Sequence, residues 1–224
     1  MLKSTVETNL EMLLDAFRKN ANREQAIRME AYLKNKFPFL GLRKPVRVLL
    51  DKSFLRDACQ SKYIDWEMVF YLFELEEREF HHLALEYLQK MQEKLKKQDI
   101  IHLERLILCK SWWDSVDALS PLVGVLCRKN PVLKKEVLEH WMLSSNIWLK
   151  RVSITFQLKY KNQTDSKFLE KAILANHLSK EFFVNKAIGW ALRQYSKFNA
   201  AWVRNFIATH SLSPLSVREG SKYL

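Results

Sequence analysis

A chain of 224 residues, 48% of them apolar, can fill one sizeable core or one array of repeats, and its length calls for no second domain. The formal net charge of +12 fits a polyanionic partner or an anionic surface, and three scattered cysteines, Cys59, Cys109 and Cys127, argue against a disulfide framework or a zinc site. No metal or cofactor is expected, because no Cys-x-x-Cys or His-x-x-x-His spacing accompanies the His81-His82 pair. The N-terminus lacks an apolar signal core and no run nears the roughly 18 apolar residues of a spanning helix, which predicts a cytoplasmic protein with no membrane partner.

Only four glycines and five prolines punctuate the chain, so it reads as almost entirely helical. In chain order, apolar periodicity predicts helices at 5–19, 23–36, 44–58, 64–74, 78–96, 99–109, 112–127, 131–143, 147–159, 165–176, 180–195 and 199–209. Breaks are expected at Pro38, Gly41, Pro121, Pro131 and the Ser/Pro stretch 211–216, and Pro121 is placed to split its segment into two shorter helices. The acidic run from Glu74 to Glu79 reads as a solvated face, and His81-His82 as surface or satisfied packing.

Charge is unevenly spread. Residues 1–50 carry a net +5, residues 51–145 a net −2 and residues 146–224 a net +9, so basic ends flank a near-neutral middle. Such a distribution suits a cleft whose rims grip phosphates. A degenerate repeat runs through the chain: Ile147 to Ile154 resembles Phe182 to Gly189, Arg151 and Lys186 lie 35 apart, Val116 precedes Val152 by 36, and Leu83 precedes Val116 by 33. Helix pairs recurring at that period are the signature of a solenoid with a concave face, with an irregular bundle as the alternative.

The near-neutral middle holds the most distinctive segment, Ser111-Trp112-Trp113-Asp114-Ser115-Val116-Asp117. On a helix Trp113 and Asp117 are four apart and share a face, which stands an aromatic wall beside an acceptor carboxylate. In a basic protein that pairing points to stabilisation of positive charge, such as a cationic base or an electron-poor sugar, on a polyanionic partner.

Lys110 to Asp117, Asn146 to Arg151 with Phe156 to Tyr160, and Ser179 to Phe183 with Lys186 to Trp190 together resemble the AlkD-type alkylpurine DNA glycosylases. Phe39-Leu40-Gly41 and Pro214-Leu215-Ser216 also fit, so the resemblance runs from about Tyr32 to Arg218. It implies an all-α superhelical solenoid of HEAT-like repeats, one domain over residues 1–224, with a concave DNA-binding face. It further implies a monomeric, monofunctional hydrolase that releases N3- and N7-alkylpurines from double-stranded DNA, leaving an abasic site without enclosing the base in a flipping pocket. Carried over by position, Asp117 is the catalytic carboxylate and Trp113 and Trp190 are aromatic walls. Arg151 offers a fork to the phosphate backbone and Tyr32 faces the DNA; beside these five positions, Lys186, Lys159 and Arg193 of the basic C-terminal third are further candidates for DNA contact.

Each of these residues also has an ordinary structural reading. Tryptophans in helical proteins are most often core, which is how Trp66, Trp112, Trp141, Trp148 and Trp202 read. Asp117 could be solvated or a cap, Asp114 competes with it, and Arg151 and Lys186 could line a solvated face. Two other functions therefore stand beside the glycosylase: a non-catalytic DNA-binding solenoid or damage sensor, and a protein-interaction scaffold, which has no need of so basic a C-terminal third.

Overall fold

Side-chain caps set where many of the helices begin. Asn22, Asp65, Asn146, Asp165, Asn199 and Ser213 each accept a backbone N–H from the first turn of the helix they precede. The computed structural model describes residues 2–224, with side chains from Asn9 onward. Thirteen α-helices account for most of the chain, and no strand occurs among the described residues. The chain divides into two compact units, Met1–Leu95 and Lys96–Leu224.

The N-terminal unit holds α1 (Leu2–Lys19), α2 (Arg23–Tyr32), α3 (Lys44–Ala58), α4 (Trp66–Glu74) and α5 (Arg78–Lys90), with α3 packed on both α1 and α5, and α4 on α5. The expected helix 23–36 ends at Tyr32 because Lys34 and Asn35 turn left-handed, at φ 61° and 53°. The segment that follows is fastened by a buried acid. Glu79 accepts the backbone N–H of Leu40, Gly41 and Leu42 at 3.0, 2.8 and 3.0 Å, so it is no part of a solvated acidic face. Gly41 cannot be replaced there: its φ is 87°, and a Cβ would sit 2.0 Å from the Asn22 carbonyl oxygen. His81 is fully buried and satisfied, its Nδ1 accepting from Arg78 at 3.0 Å and its Nε2 donating to the Leu75 carbonyl at 2.8 Å.

The C-terminal unit runs as four helix pairs in chain order, α6 (Ile100–Leu108) and α7 (Trp113–Lys129), α8 (Glu139–Leu143) and α9 (Ile147–Thr155), α10 (Ser166–Leu174) and α11 (Phe182–Ser196), and α12 (Ala200–Thr209) and α13 (Pro214–Gly220); α6 packs on α7 and α8 on α9, while α10 packs on α9 and α12 on α11, each against the pair before it. One π-helical turn, Lys134–Leu138, runs into α8. The second helices form a continuous layer, α7 on α9, α9 on α11 and α11 on α13, which is the stacking of a solenoid. The repeat register read from the sequence marks the core, since Val116, Val152 and the equivalent Ala187 are all fully buried.

Two expectations about breakers change. Pro121 lies inside an unbroken α7, where it removes the N–H that would have bonded the carbonyl of Asp117, one turn earlier. The Ser/Pro stretch does break the helices after Thr209, but only as far as Ser213, which caps α13, with Pro214 in the first position, where a missing N–H costs nothing.

Candidate active site

Three adjacent second helices of the C-terminal unit bring the candidate residues together. Asp117 lies one turn into α7, behind a loop that passes through left-handed Lys110 (φ 44°) and extended Trp112. Arg151 lies one turn into α9, whose start is fixed by Asn146 accepting from both Trp148 and Leu149. The two side chains meet as a fork: Arg151 Nε donates to Asp117 Oδ1 at 2.7 Å and Nη2 donates to Oδ2 at 2.8 Å. The remaining Nη1 donates to the carbonyl of Phe183, at the start of α11, at 2.6 Å. A charge-assisted bidentate pair of this kind fixes direction as well as distance.

Burial decides which of the two charges faces outward. The Arg151 side chain is 4% exposed and that of Asp117 is 19% exposed, so the carboxylate retains a solvent-facing side while the guanidinium is enclosed. The fork expected to grip phosphate is therefore occupied by a carboxylate and a backbone carbonyl, and Arg151 holds Asp117 instead of presenting itself to solvent. Trp190, two turns into α11, completes the cluster with its ring centroid 5.9 Å from the guanidinium carbon of Arg151. Trp113 is half-buried on α7, one turn before Asp117 and on the same face.

An aromatic triangle supports this arrangement, and the residue-by-residue reading missed it. Trp112 lies 5.8 Å from Trp148 and 5.1 Å from Phe183, and Trp148 lies 5.0 Å from Phe183, measured between ring centroids. The triangle seats the start of α11, and with it the Phe183 carbonyl that receives Arg151. A signal for it existed, because Trp112, Trp148 and Phe183 occupy the same repeat position, 36 and 35 residues apart.

The other expected basic residues are placed differently. Lys186 and Arg193 flank Trp190 along α11, and both are drawn to Glu219 of α13, at 3.0 and 3.3 Å. Lys222 joins them at 2.9 Å on the same carboxylate, whose side chain is 5% exposed. Hydrogen bonds from Lys222 and Lys186 hold the Glu219 carboxyl down at about 2, against the desolvation that would raise it. Lys159 is exposed in the turn after α9. Tyr32 ends α2 in the N-terminal unit, where it is 70% exposed.

No group of three or more His, Cys, Asp or Glu able to hold a metal occurs among the described residues, and no helix there is long and apolar enough to cross a membrane. Burial pushes the Cys127 thiol up to about 12, which makes it a poor nucleophile.

Comparison with known proteins places the chain in a family. No curated protein matches the chain. A solved structure described as a predicted DNA alkylation repair enzyme from Enterococcus faecalis superposes with a TM-score of 0.84 at 33% identity, over 91% of this chain and 96% of that one. Residues 13–224, which include both acid-base clusters and all thirteen helices except part of α1, match the family described as DNA alkylation repair enzyme. The chain belongs to the DNA alkylation repair enzyme family.

Proposed function

We propose that the protein is a monofunctional DNA glycosylase that hydrolyses the N-glycosidic bond of N3- and N7-alkylpurines in double-stranded DNA. The observation that carries this reading is the Asp117 carboxylate, one side fixed by the Arg151 fork and the other open, with Trp113 and Trp190 nearby. Alkylation at N3 or N7 makes the purine cationic, so it leaves with the bonding electron pair as a neutral base and needs no acid to protonate it. Positive charge then develops on the sugar. A preorganised carboxylate stabilises that charge and directs water to the anomeric carbon, while the water's proton passes to solvent and an abasic site remains. The electron-rich faces of Trp113 and Trp190 suit the cationic lesion and the sugar, at about 0.5–2 kcal/mol for each such contact.

In this scheme Arg151 positions the carboxylate, and Lys186, Arg193 and Lys159 supply phosphate contacts. The site has no evident proton donor for a neutral base, so uracil and 8-oxoguanine should not be released. The test is base release from methylated duplex DNA in the presence of a chelator, followed by chromatography, with Asp117→Asn as control. Salt-sensitive DNA binding with no release of any alkylpurine would make the protein a non-catalytic DNA-binding solenoid instead.

A further inference from the structure

Residues 146–224 contain only four acids, and one of them, Glu219, binds three cations at once. Its position is built with some care. α13 approaches α11 so closely that a Cβ on Gly189 would sit 2.6 Å from the Glu219 Cβ and 3.0 Å from the Ser216 carbonyl oxygen. Ser216 Oγ donates to the Asn185 carbonyl at 2.9 Å, which locks the first turn of α13 onto α11. This close approach delivers a buried carboxylate to the stretch of α11 that carries Lys186 four residues before Trp190 and Arg193 three residues after it.

An acid in the most basic part of a DNA-repair protein works against binding a polyanion, unless it serves another purpose. One carboxylate facing three cations leaves two positive charges uncompensated, so the cluster remains attractive to a phosphodiester. The carboxylate removes freedom instead. Two long side chains that would otherwise sample many rotamers are tied on either side of Trp190. Both retain access to solvent, at 38% for Lys186 and 26% for Arg193, and each has further N–H donors beyond the one given to Glu219.

We propose that Glu219 is a positioning residue: it presets Lys186 and Arg193 around Trp190 so that a DNA phosphodiester is received in the register that aligns the sugar with Asp117. The proposal rests on the glycosylase reading for its catalytic consequence, but not for its effect on DNA binding. A residue that only stabilises the fold would lower binding and excision together. A positioning acid separates them, because its removal adds net positive charge while loosening geometry.

The experiment combines two variants and two readouts. Binding to undamaged duplex is measured as a function of salt, and base release from methylated duplex is measured under single turnover, with folding monitored by circular dichroism. Glu219→Gln should steepen the salt dependence by up to about one unit and tighten low-salt binding about threefold, as one more uncompensated cation meets the phosphates. The same variant should slow single-turnover release about 10- to 100-fold, as expected for misplaced phosphate contacts. Glu219→Asp keeps the charge but retracts the carboxylate by one methylene, so it should keep the wild-type salt slope and still slow release. It also decides the matter should Glu219→Gln fail to fold. Wild-type release rates in Glu219→Asp, or an unchanged salt slope in folded Glu219→Gln, would overturn the proposal. Absence of release by the wild-type protein would instead refute the glycosylase reading, and the salt slopes would still judge Glu219.

Discussion

Two carboxylates in the C-terminal unit meet their cations in opposite ways. Asp117 faces one enclosed arginine, forms two parallel hydrogen bonds with it, and leaves a locally neutral pair with its acid side open. Glu219 is the enclosed member of its own cluster and faces three partly exposed cations, which leaves that surface positive. The first arrangement suits a group that must meet developing positive charge without repelling a phosphate strand through excess negative charge of its own. The second suits a surface that must attract the strand. Arg151 and Lys186 hold equivalent repeat positions, so a single solenoid register produces both arrangements. The outcome depends on whether the acid lies on the preceding helix, as Asp117 does, or on the following one, as Glu219 does.

The largest effect is expected from breaking the half of this contrast proposed to be catalytic. Asp117→Asn removes the charge that opposes the developing cation, and base release should fall about 100- to 1,000-fold, the usual cost of losing one preorganised stabilising group. Duplex affinity should stay within about threefold of wild type, since the proposed phosphate contacts lie elsewhere. Release measured by chromatography beside fluorescence-anisotropy binding checks both halves, and release at the wild-type rate would remove Asp117 from the mechanism.

Arg151 gives the next largest effect, seen in stability as well as activity. Arg151→Ala leaves the Asp117 carboxylate and the Phe183 carbonyl without their donor. Loss of one partner from such a buried pair costs about 3 kcal/mol. The urea midpoint should fall accordingly and release should fall with it. Duplex affinity should also fall about threefold, because the bared Asp117 carboxylate repels the strand, and adding Asp117→Asn to Arg151→Ala should restore it. Affinity that stays low in the double variant would show that Arg151 leaves the fork to meet DNA.

Much of this was legible in the sequence, for identifiable reasons. The scarcity of breakers and the 33–36-residue register foretold stacked helices and their core, because burial of one face leaves a periodic trace. Asp117 and Trp113 were legible because a four-residue spacing places them on one helical face. The Arg151 fork was not, because whether a guanidinium turns inward depends on what the neighbouring helix offers, and no local pattern records that. Glu79 was misread for a similar reason. An acidic run looks solvated until one member proves to cap three backbone N–H groups of a distant loop. α13 was missed because proline was weighed as a breaker, when a serine before it makes it a start.

The Glu219 cluster can be separated from the Asp117 pair by acid. Hydrogen bonds from Lys222 and Lys186 lower the Glu219 carboxyl from its ordinary 4.5 to about 2. Because the folded value is the depressed one, the stabilisation is complete above about pH 4.5 and is lost as pH falls toward 2. Thermal midpoints of wild type and Glu219→Gln should therefore differ at pH 5 and converge toward pH 2.5. A gap that stays constant through this range would mean that the cations stabilise Glu219 no better than they would its amide.

A third acid, in the N-terminal unit, sharpens the comparison by showing what happens when the cations are too few. Asp51 on α3 is 2% exposed and lies beside Glu86 of α5, and Arg47 pairs with Glu86 at 3.1 Å. Arg47 Nε and Nη1 and Asp51 Oδ2 have no hydrogen-bond partner among the described residues. Burial, and then the charge and hydrogen bond of Glu86, raise the Asp51 carboxyl from 3.8 to about 6, while Arg47 and Lys90 pull it down less strongly. The sign is opposite to that of Glu219. Between pH 4 and 6 the folded chain retains a proton that the unfolded chain has released, so the N-terminal unit loses stability as pH rises through this window. The effect should be small, on the order of 1 kcal/mol, because Arg47 and Lys90 offset part of what burial imposes on Asp51. Asp51→Asn keeps the shape and removes the titration. Its urea midpoint relative to wild type should therefore be higher at pH 7 than at pH 4.5, and an equal difference at both pH values would show that Asp51 is ionised in the fold across the whole range.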